Sequence, residues 1–191
     1  DIRTLDLGGG IGIAYSKTTK TIDLIEYGKL IKRILGHLDC SFEFEPGRLI
    51  VGNAGLLVSS VIYKKFLQER NFIVVDSAMN DLVRPAMYEA YHEMLLIKED
   101  VSSKKMKVDV VGPICETGDT FGRDRDFPEV KEKDLIAFQS CGAYGAVMSS
   151  EYNSRPLIPE VLVRGHQFAI IRPRPSIMAS INRDMVPNWL D

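Results

Sequence analysis

The fold class predicted for this chain of 191 residues is α/β followed by β, with the change near residue 52. Two patterns carry the expectation. Through residues 1–52 the order is strand, glycine loop, helix, strand, which is a β/α repeat. Through residues 53–191 apolar residues gather in short runs punctuated by turn chemistry, which reads as a β-rich domain. With 45% apolar and 26% charged residues there is material for a sizeable core.

Taken in order, the chain opens on Asp1 rather than Met and runs at once into Ile2-Arg3-Thr4-Leu5-Asp6-Leu7, expected to be a buried strand already under way in a longer protein. Gly8-Gly9-Gly10-Ile11-Gly12 follows, then a polar segment from Ser16 to Thr21. From Ile22 to Leu38 the residues Leu24, Tyr27, Ile31, Ile34, Leu35 and Leu38 recur every three or four positions against a Lys and Arg face. That spacing predicts an amphipathic helix. A second strand, Ser41-Phe42-Glu43-Phe44, ends at Glu45-Pro46-Gly47-Arg48, where Pro fixes φ and Gly can take the positive φ of a tight turn.

The β segments expected beyond it are Gly55 to Tyr63, Asn71 to Asp76, Lys107 to Val111, Asp134 to Gln139, Glu160 to Val163 and Gln167 to Arg172. Turn signals at Gly112-Pro113, Thr117-Gly118-Asp119 and Arg172-Pro173 separate several of them. Three short helices are expected, at Pro85 to Met94, Tyr144 to Tyr152 and Ile177 to Asp184, and the charged stretch Lys98 to Lys107 reads as a solvated loop.

Composition removes several classes of function. A net charge of -2 without a basic block provides no attraction for nucleic acid or an anionic membrane surface. The longest apolar stretch, Leu49 to Tyr63, is shorter than a membrane span and is broken by Asn53, Ser59 and Ser60, so neither a signal peptide nor a transmembrane helix is expected. Cys40, Cys115 and Cys141 are odd in number and lack metal spacing, and His37, His92 and His166 are scattered. A reducing, cytoplasmic setting without a metal site fits best, with the histidines as ordinary surface or satisfied core residues.

The chemistry concentrates at two corners. Gly8-Gly9-Gly10 follows a strand and precedes a helix, so its backbone N–H groups can approach an anion with no Cβ in the way. It reads either as a phosphate seat at the end of a barrel strand or as a flexible loop, and it lacks the G-x-G-x-x-G spacing of a dinucleotide site. Glu45-Pro46-Gly47-Arg48 reads either as a surface turn with a solvated ion pair or as a cofactor corner. Combined, the corners supply two bare backbones and a guanidinium for a phosphate, and an acid for a ring nitrogen. That set suits pyridoxal phosphate, whose ring draws electrons only while a carboxylate keeps its nitrogen protonated.

Motifs along nearly the whole chain then fall in one family's order. They are Leu5-Asp6-Leu7-Gly8-Gly9-Gly10, Glu45-Pro46-Gly47-Arg48, Met79-Asn80-Asp81-Leu82-Val83-Arg84-Pro85-Ala86-Met87-Tyr88, Gly112-Pro113-Ile114-Cys115-Glu116-Thr117-Gly118-Asp119, Gly142-Ala143-Tyr144-Gly145 and Tyr152-Asn153-Ser154-Arg155-Pro156. With these the chain resembles the C-terminal half of the barrel-type, alanine-racemase-like pyridoxal-phosphate decarboxylases, in their diaminopimelate branch. The sequence departs from that pattern at Ser77-Ala78, where Ala-Gly is more usual.

The resemblance implies that residues 1–52 are the last part of a (β/α)8 barrel and residues 53–191 a C-terminal β domain. It implies that Gly8, Gly9, Gly10, Glu45, Pro46, Gly47, Arg48 and Tyr144 hold pyridoxal phosphate. Substrate would be bound by Arg48, Arg84, Tyr88, Glu116 and Tyr144, the arginines gripping carboxylates through a bidentate fork that Lys lacks. Cys115 would return a proton to the α-carbon after CO2 leaves, with Glu116 meeting the substrate's distal ammonium in the other subunit of a homodimer. The family's Schiff-base lysine, in a Tyr-x-x-Lys-Ala context, has no match here, so the 191 residues alone are expected to be inactive. A decarboxylase of another basic amino acid and a non-catalytic relative stay open as alternatives.

Overall fold

The structure is a computed structural model describing residues 2–98 and 104–190. Strand β1 (Thr4–Asp6) and strand β2 (Ser41–Glu43) pair in parallel, with Thr4 opposite Ser41 and Asp6 opposite Glu43. Helix α1 (Leu24–Leu35) joins them as the crossover that parallel strands require. It begins two residues after the expected Ile22 because Asp23 caps it, its Oδ1 accepting from the amides of Ile25 and Glu26 at 2.9 and 3.2 Å. The strand expected to be buried from Ile2 to Leu7 is shorter and largely exposed, since β2 is the one strand beside it among the described residues.

After β2 the chain turns into helix α2 (Gly47–Val51), continued by one 3-10 turn over Gly52–Ala54. This corrects the turn expectation at Pro46-Gly47. Pro46 has φ -81° and precedes the first helical residue, where a missing N–H costs little, and Gly47 is not among the glycines with positive φ.

The next six strands build one mixed sheet. They are β3 (Leu57–Phe66), β4 (Asn71–Val75), β5 (Met94–Ile97), β6 (Lys105–Val111), β7 (Thr120–Pro128) and β8 (Leu135–Phe138), in the order β5-β8-β3-β4-β6-β7. Long strand β3 carries the curl: Leu57 to Ser60 pair with β8, and from Val61 onward it pairs with β4 across a register shift. The β4 and β6 pair is parallel and the others are antiparallel. Inside the curl lies the core, including Val61, Ile73, Val75, Val108, Val110, Ile136 and Phe138, with the Phe121 and Phe138 rings 4.5 Å apart.

Several expectations shift. Helix α3 (Arg84–Tyr88) stops at Glu89, whose φ of 52° ends the turn, so Met94 opens strand β5 instead of closing a helix. Strand β7 was invisible to alternation because Asp124, at φ 48°, bulges within the charged run Arg123 to Asp126. The expected loop Lys98 to Lys107 lies partly outside the described residues, and Lys105 to Lys107 belong to β6. The helix expected over Tyr144 to Tyr152 reduces to 3-10 turns at Ala146–Met148 and Tyr152–Ser154. A hairpin of β9 (Glu160–Arg164) and β10 (Gln167–Arg172) and a short helix α4 (Ile177–Ile181) complete the described chain.

Candidate active site

Parallel pairing of β1 with β2 brings the two glycine corners out on the same side. The Glu45 amide donates to the Gly8 carbonyl at 2.8 Å, and a Cβ on Gly9 would stand 2.3 Å from the Glu45 carbonyl oxygen. Only glycine permits that approach. Gly8 and Gly10 have φ of +68° and +78°, and the Asp6 carboxylate takes the Gly8 amide at 2.7 Å, which fixes the first turn.

This geometry fits a phosphate. The Gly9 and Gly10 amides donate to nothing among the described residues, and the space where Gly8, Gly10 and Gly47 would carry a Cβ is open. Free N–H groups on the corner whose other side is Glu45, with the Arg48 guanidinium three residues beyond it, are a donor set that suits a dianion.

Arg48 stands on α2 beneath Tyr144, its Cζ 5.3 Å from the ring centroid, within range of a cation–π contact. The segment after β8 is laced to the 3-10 turn that continues α2 and to Gly55 just beyond it. Cys141 donates to the Gly55 carbonyl at 2.9 Å, Gly142 to that of Gly52 at 3.0 Å, and the Ser140 hydroxyl to Asn53 Oδ1 at 2.8 Å. A Cβ on Gly142 would fall 1.9 Å from the Val51 carbonyl oxygen. Tyr144 itself is held at φ 61°, a conformation that a tyrosine adopts only when its surroundings impose it.

Arg84 opens α3 and is 8% exposed, so it is not a surface charge. Its Nη1 lies 2.9 Å from His92 Nε2, and its Cζ sits 4.8 Å from the Tyr15 ring centroid. His92 is wholly buried, with Nδ1 2.8 Å from the Gln139 carbonyl oxygen and its ring edge-on to Tyr15. Burial holds the His92 pKa below its ordinary value, and the cations Arg84 and Arg125 push the same way against the Gln139 bond. Tyr15 carries no signal in the sequence, and His92, expected to be an ordinary surface or satisfied core residue, is brought to Arg84 by the turn at Glu89 that ends α3, which no periodicity marks. Tyr88, the last residue of α3, is exposed.

Cys115 and Glu116 lie on the loop between β6 and β7, shaped by the buried Asp119. The Asp119 carboxylate accepts from the Met79 amide at 2.7 Å and the Ile114 amide at 2.8 Å, and a Cβ on Gly112 would meet it at 2.3 Å. Burial pushes the Asp119 pKa up, outweighing both amides. Cys115 is exposed, while Glu116 accepts from the Gly118 amide at 3.1 Å and stands 3.5 Å from the Tyr152 hydroxyl. Among the described residues, no hydrogen bond or ion pair ties this loop to the glycine corners. Within the same residues no cluster could hold a metal ion, and no helix is long and apolar enough to cross a membrane.

Residues 13–142 match the family model of the pyridoxal-dependent decarboxylase C-terminal sheet domain. A diaminopimelate decarboxylase of Zymomonas mobilis is 46% identical over 190 residues, covering 99% of this chain and 45% of that protein. The crystal structure of diaminopimelate decarboxylase from Helicobacter pylori complexed with L-lysine is 39% identical, with a TM-score of 0.88 over 96% of this chain and 45% of that one. The diaminopimelate decarboxylase of M. jannaschii, also solved with L-lysine, matches at 34% identity and a TM-score of 0.88, covering 100% of this chain and 44% of that one. The chain thus spans about 45% of the length of the curated relatives it matches. The family model over residues 13–142 and these likenesses show that the chain belongs to the pyridoxal-dependent decarboxylase family.

Proposed function

We propose that this chain is the C-terminal half of a pyridoxal-phosphate-dependent diaminopimelate decarboxylase, which removes the α-carboxylate at the D-centre of meso-diaminopimelate to leave L-lysine. The observation that carries the reading is the contact of Gly8 and Gly9 with Glu45 together with that of Arg48, three residues on, with Tyr144, groups from three parts of the sequence. Residues 1–52 complete a (β/α)8 barrel and residues 53–191 are the β domain packed beside it.

Bound at this corner, pyridoxal phosphate supplies the electron sink for the pair released as CO2 departs. The chain's own groups do the rest. Gly9 and Gly10 amides and Tyr144 hold the phosphate, Pro46 and Gly47 keep the approach open, and Glu45 keeps the ring nitrogen protonated. Arg48 and Arg84 orient the substrate's carboxylates, Tyr88 closes on its chain, and Glu116 takes the distal ammonium. The Cys115 thiol gives its proton to the α-carbon, replacing the departed carboxylate. Exposure of the Cys115 and Glu116 loop supports its service in the site of the other subunit of a cytoplasmic homodimer.

The test is a full-length protein loaded with cofactor. It should release CO2 from meso-diaminopimelate, and preference for ornithine or arginine would overturn the substrate. Cys115→Ala should keep the cofactor and slow turnover at least about a hundredfold, the usual worth of a positioned proton donor. Unchanged turnover in that variant removes Cys115 from the reaction.

A further inference from the structure

Arg84 carries a positive charge into a nearly closed environment, and what surrounds it decides where its N–H groups point. Gln139 offers His92 Nδ1 a backbone carbonyl, which can only accept. Nδ1 therefore carries the proton, and Nε2 presents its lone pair. Arg84, all of whose nitrogens are donors, places Nη1 on that lone pair at 2.9 Å. The Tyr15 ring supports the guanidinium plane, and the remaining N–H groups of Arg84 have no hydrogen-bond partner among the described residues.

We propose that His92 is the positioning residue for Arg84: as the neutral Nδ1–H tautomer it takes one guanidinium N–H and directs the others at the substrate's carboxylate. This rests on the reading above that Arg84 binds substrate. The environment of His92 is built to keep it neutral. Arg84 on α3 and Arg125 on β7 are its charged neighbours, the latter donating to the His92 carbonyl at 3.1 Å. The Cys141 thiol, 3.8 Å from Nδ1, is pushed up to about 12 and carries no charge, and Glu93 is taken by the Tyr91 hydroxyl at 2.8 Å. No carboxylate hydrogen-bonds the imidazole among the described residues, so nothing there welcomes an imidazolium. A proton on Nε2 would replace the acceptor by a donor facing a cation, and Arg84 would lose its hold.

The experiment uses full-length holoenzyme and steady-state kinetics on meso-diaminopimelate from about pH 4.5 to 8, reaching well below the ordinary histidine value of about 6.5 because burial holds His92 lower. In the native enzyme KM should rise on the acid side while cofactor absorbance stays constant. His92→Phe, which removes the acceptor, should raise KM roughly tenfold at neutral pH with kcat nearly unchanged, the worth of one hydrogen bond to a charged group. His92→Gln, whose amide oxygen can stand near the place of Nε2, should recover most of that loss and flatten the acid rise. A His92→Phe enzyme with native KM, or an acid rise that persists in His92→Gln, overturns the proposal. If His92→Phe fails to fold by circular dichroism, the pH profile of His92→Gln decides alone. Arg84→Gln separates the two layers: native KM in that variant removes the substrate role of Arg84, and the proposal with it. A large KM defect in Arg84→Gln beside a silent His92→Phe removes the positioning role only.

Discussion

At Gly9 a single absent methyl determines whether two strand ends can touch. A Cβ there would stand 2.3 Å from a backbone oxygen of Glu45, and backbone cannot rotate away as a side chain can. Gly8 is a different case, with φ +68° and nothing within 4 Å of its would-be Cβ, so a side chain there meets only conformational strain. Gly9→Ala should therefore destabilise full-length protein by roughly 2–4 kcal/mol and weaken cofactor binding. Gly8→Ala should cost only about 1–2 kcal/mol, the left-handed penalty. Denaturant unfolding followed by cofactor absorbance ranks the two, and the reverse order would contradict this account of the corner. The residue types at both corners were legible in the sequence. Which glycine serves φ and which serves proximity was not, because that depends on the Glu45 carbonyl, some 36 positions away, arriving beside Gly9.

At the scale of elements, the loop between β6 and β7 shows how one buried acid shapes an exposed functional segment. Asp119→Ala leaves the amides of Met79 and Ile114 unpaired, and should cost about 3 kcal/mol while loosening the loop that carries Cys115 and Glu116. Hydrogen exchange at residues 112–119 measures the loosening, and native protection there would refute it. The pH sign follows from the raised carboxyl. Since burial lifts Asp119 above 3.8, the folded chain holds this proton better than the unfolded chain does. Its contribution is full below the unfolded value and declines as pH rises through the folded one. The stability gap between native and Asp119→Ala protein should thus be widest near pH 4 and narrow toward neutrality. Turn chemistry at Gly112-Pro113 and Thr117-Gly118-Asp119 marked this loop in advance, yet β7 after it was missed. Its alternation is interrupted where the Asp124 amide bonds Asp109 Oδ1 at 2.9 Å, a local device that hydropathy does not register.

Over the whole molecule, burial is divided unequally. The curled sheet holds its own core, whereas α1 buries none of its residues and an apolar cleft of about 540 Å³ lies between it and β2, lined by Leu24, Tyr27, Ile31, Phe42, Phe44 and Leu49. Near the other end, Phe168 and Trp189 are each 76% exposed. Soluble monomers seldom leave an apolar cleft of this size and large aromatic side chains uncovered together. Expressed alone, the 191-residue chain should self-associate and bind a hydrophobic dye strongly, as light scattering and dye fluorescence would show. A dye-silent monomer would mean that these faces rearrange. The proposal that the chain is half of a longer enzyme accounts for them.

What the sequence by itself determined was local and chemical. The α1 stripe, strands β3, β4, β6, β8, β9 and β10 in large part, and the residue types at the glycine, acid and arginine corners follow from residue type and spacing, since periodicity and backbone permissiveness act over a few residues. Tertiary structure alone decided that β1 and β2 run parallel, that Tyr144 lies over Arg48, and that His92 faces Arg84. Those contacts cross between separate elements, β1 with β2, α2 with the segment after β8, and α3 with the residue before Glu93 and β5, and only the packed fold sets which of these groups share one small volume.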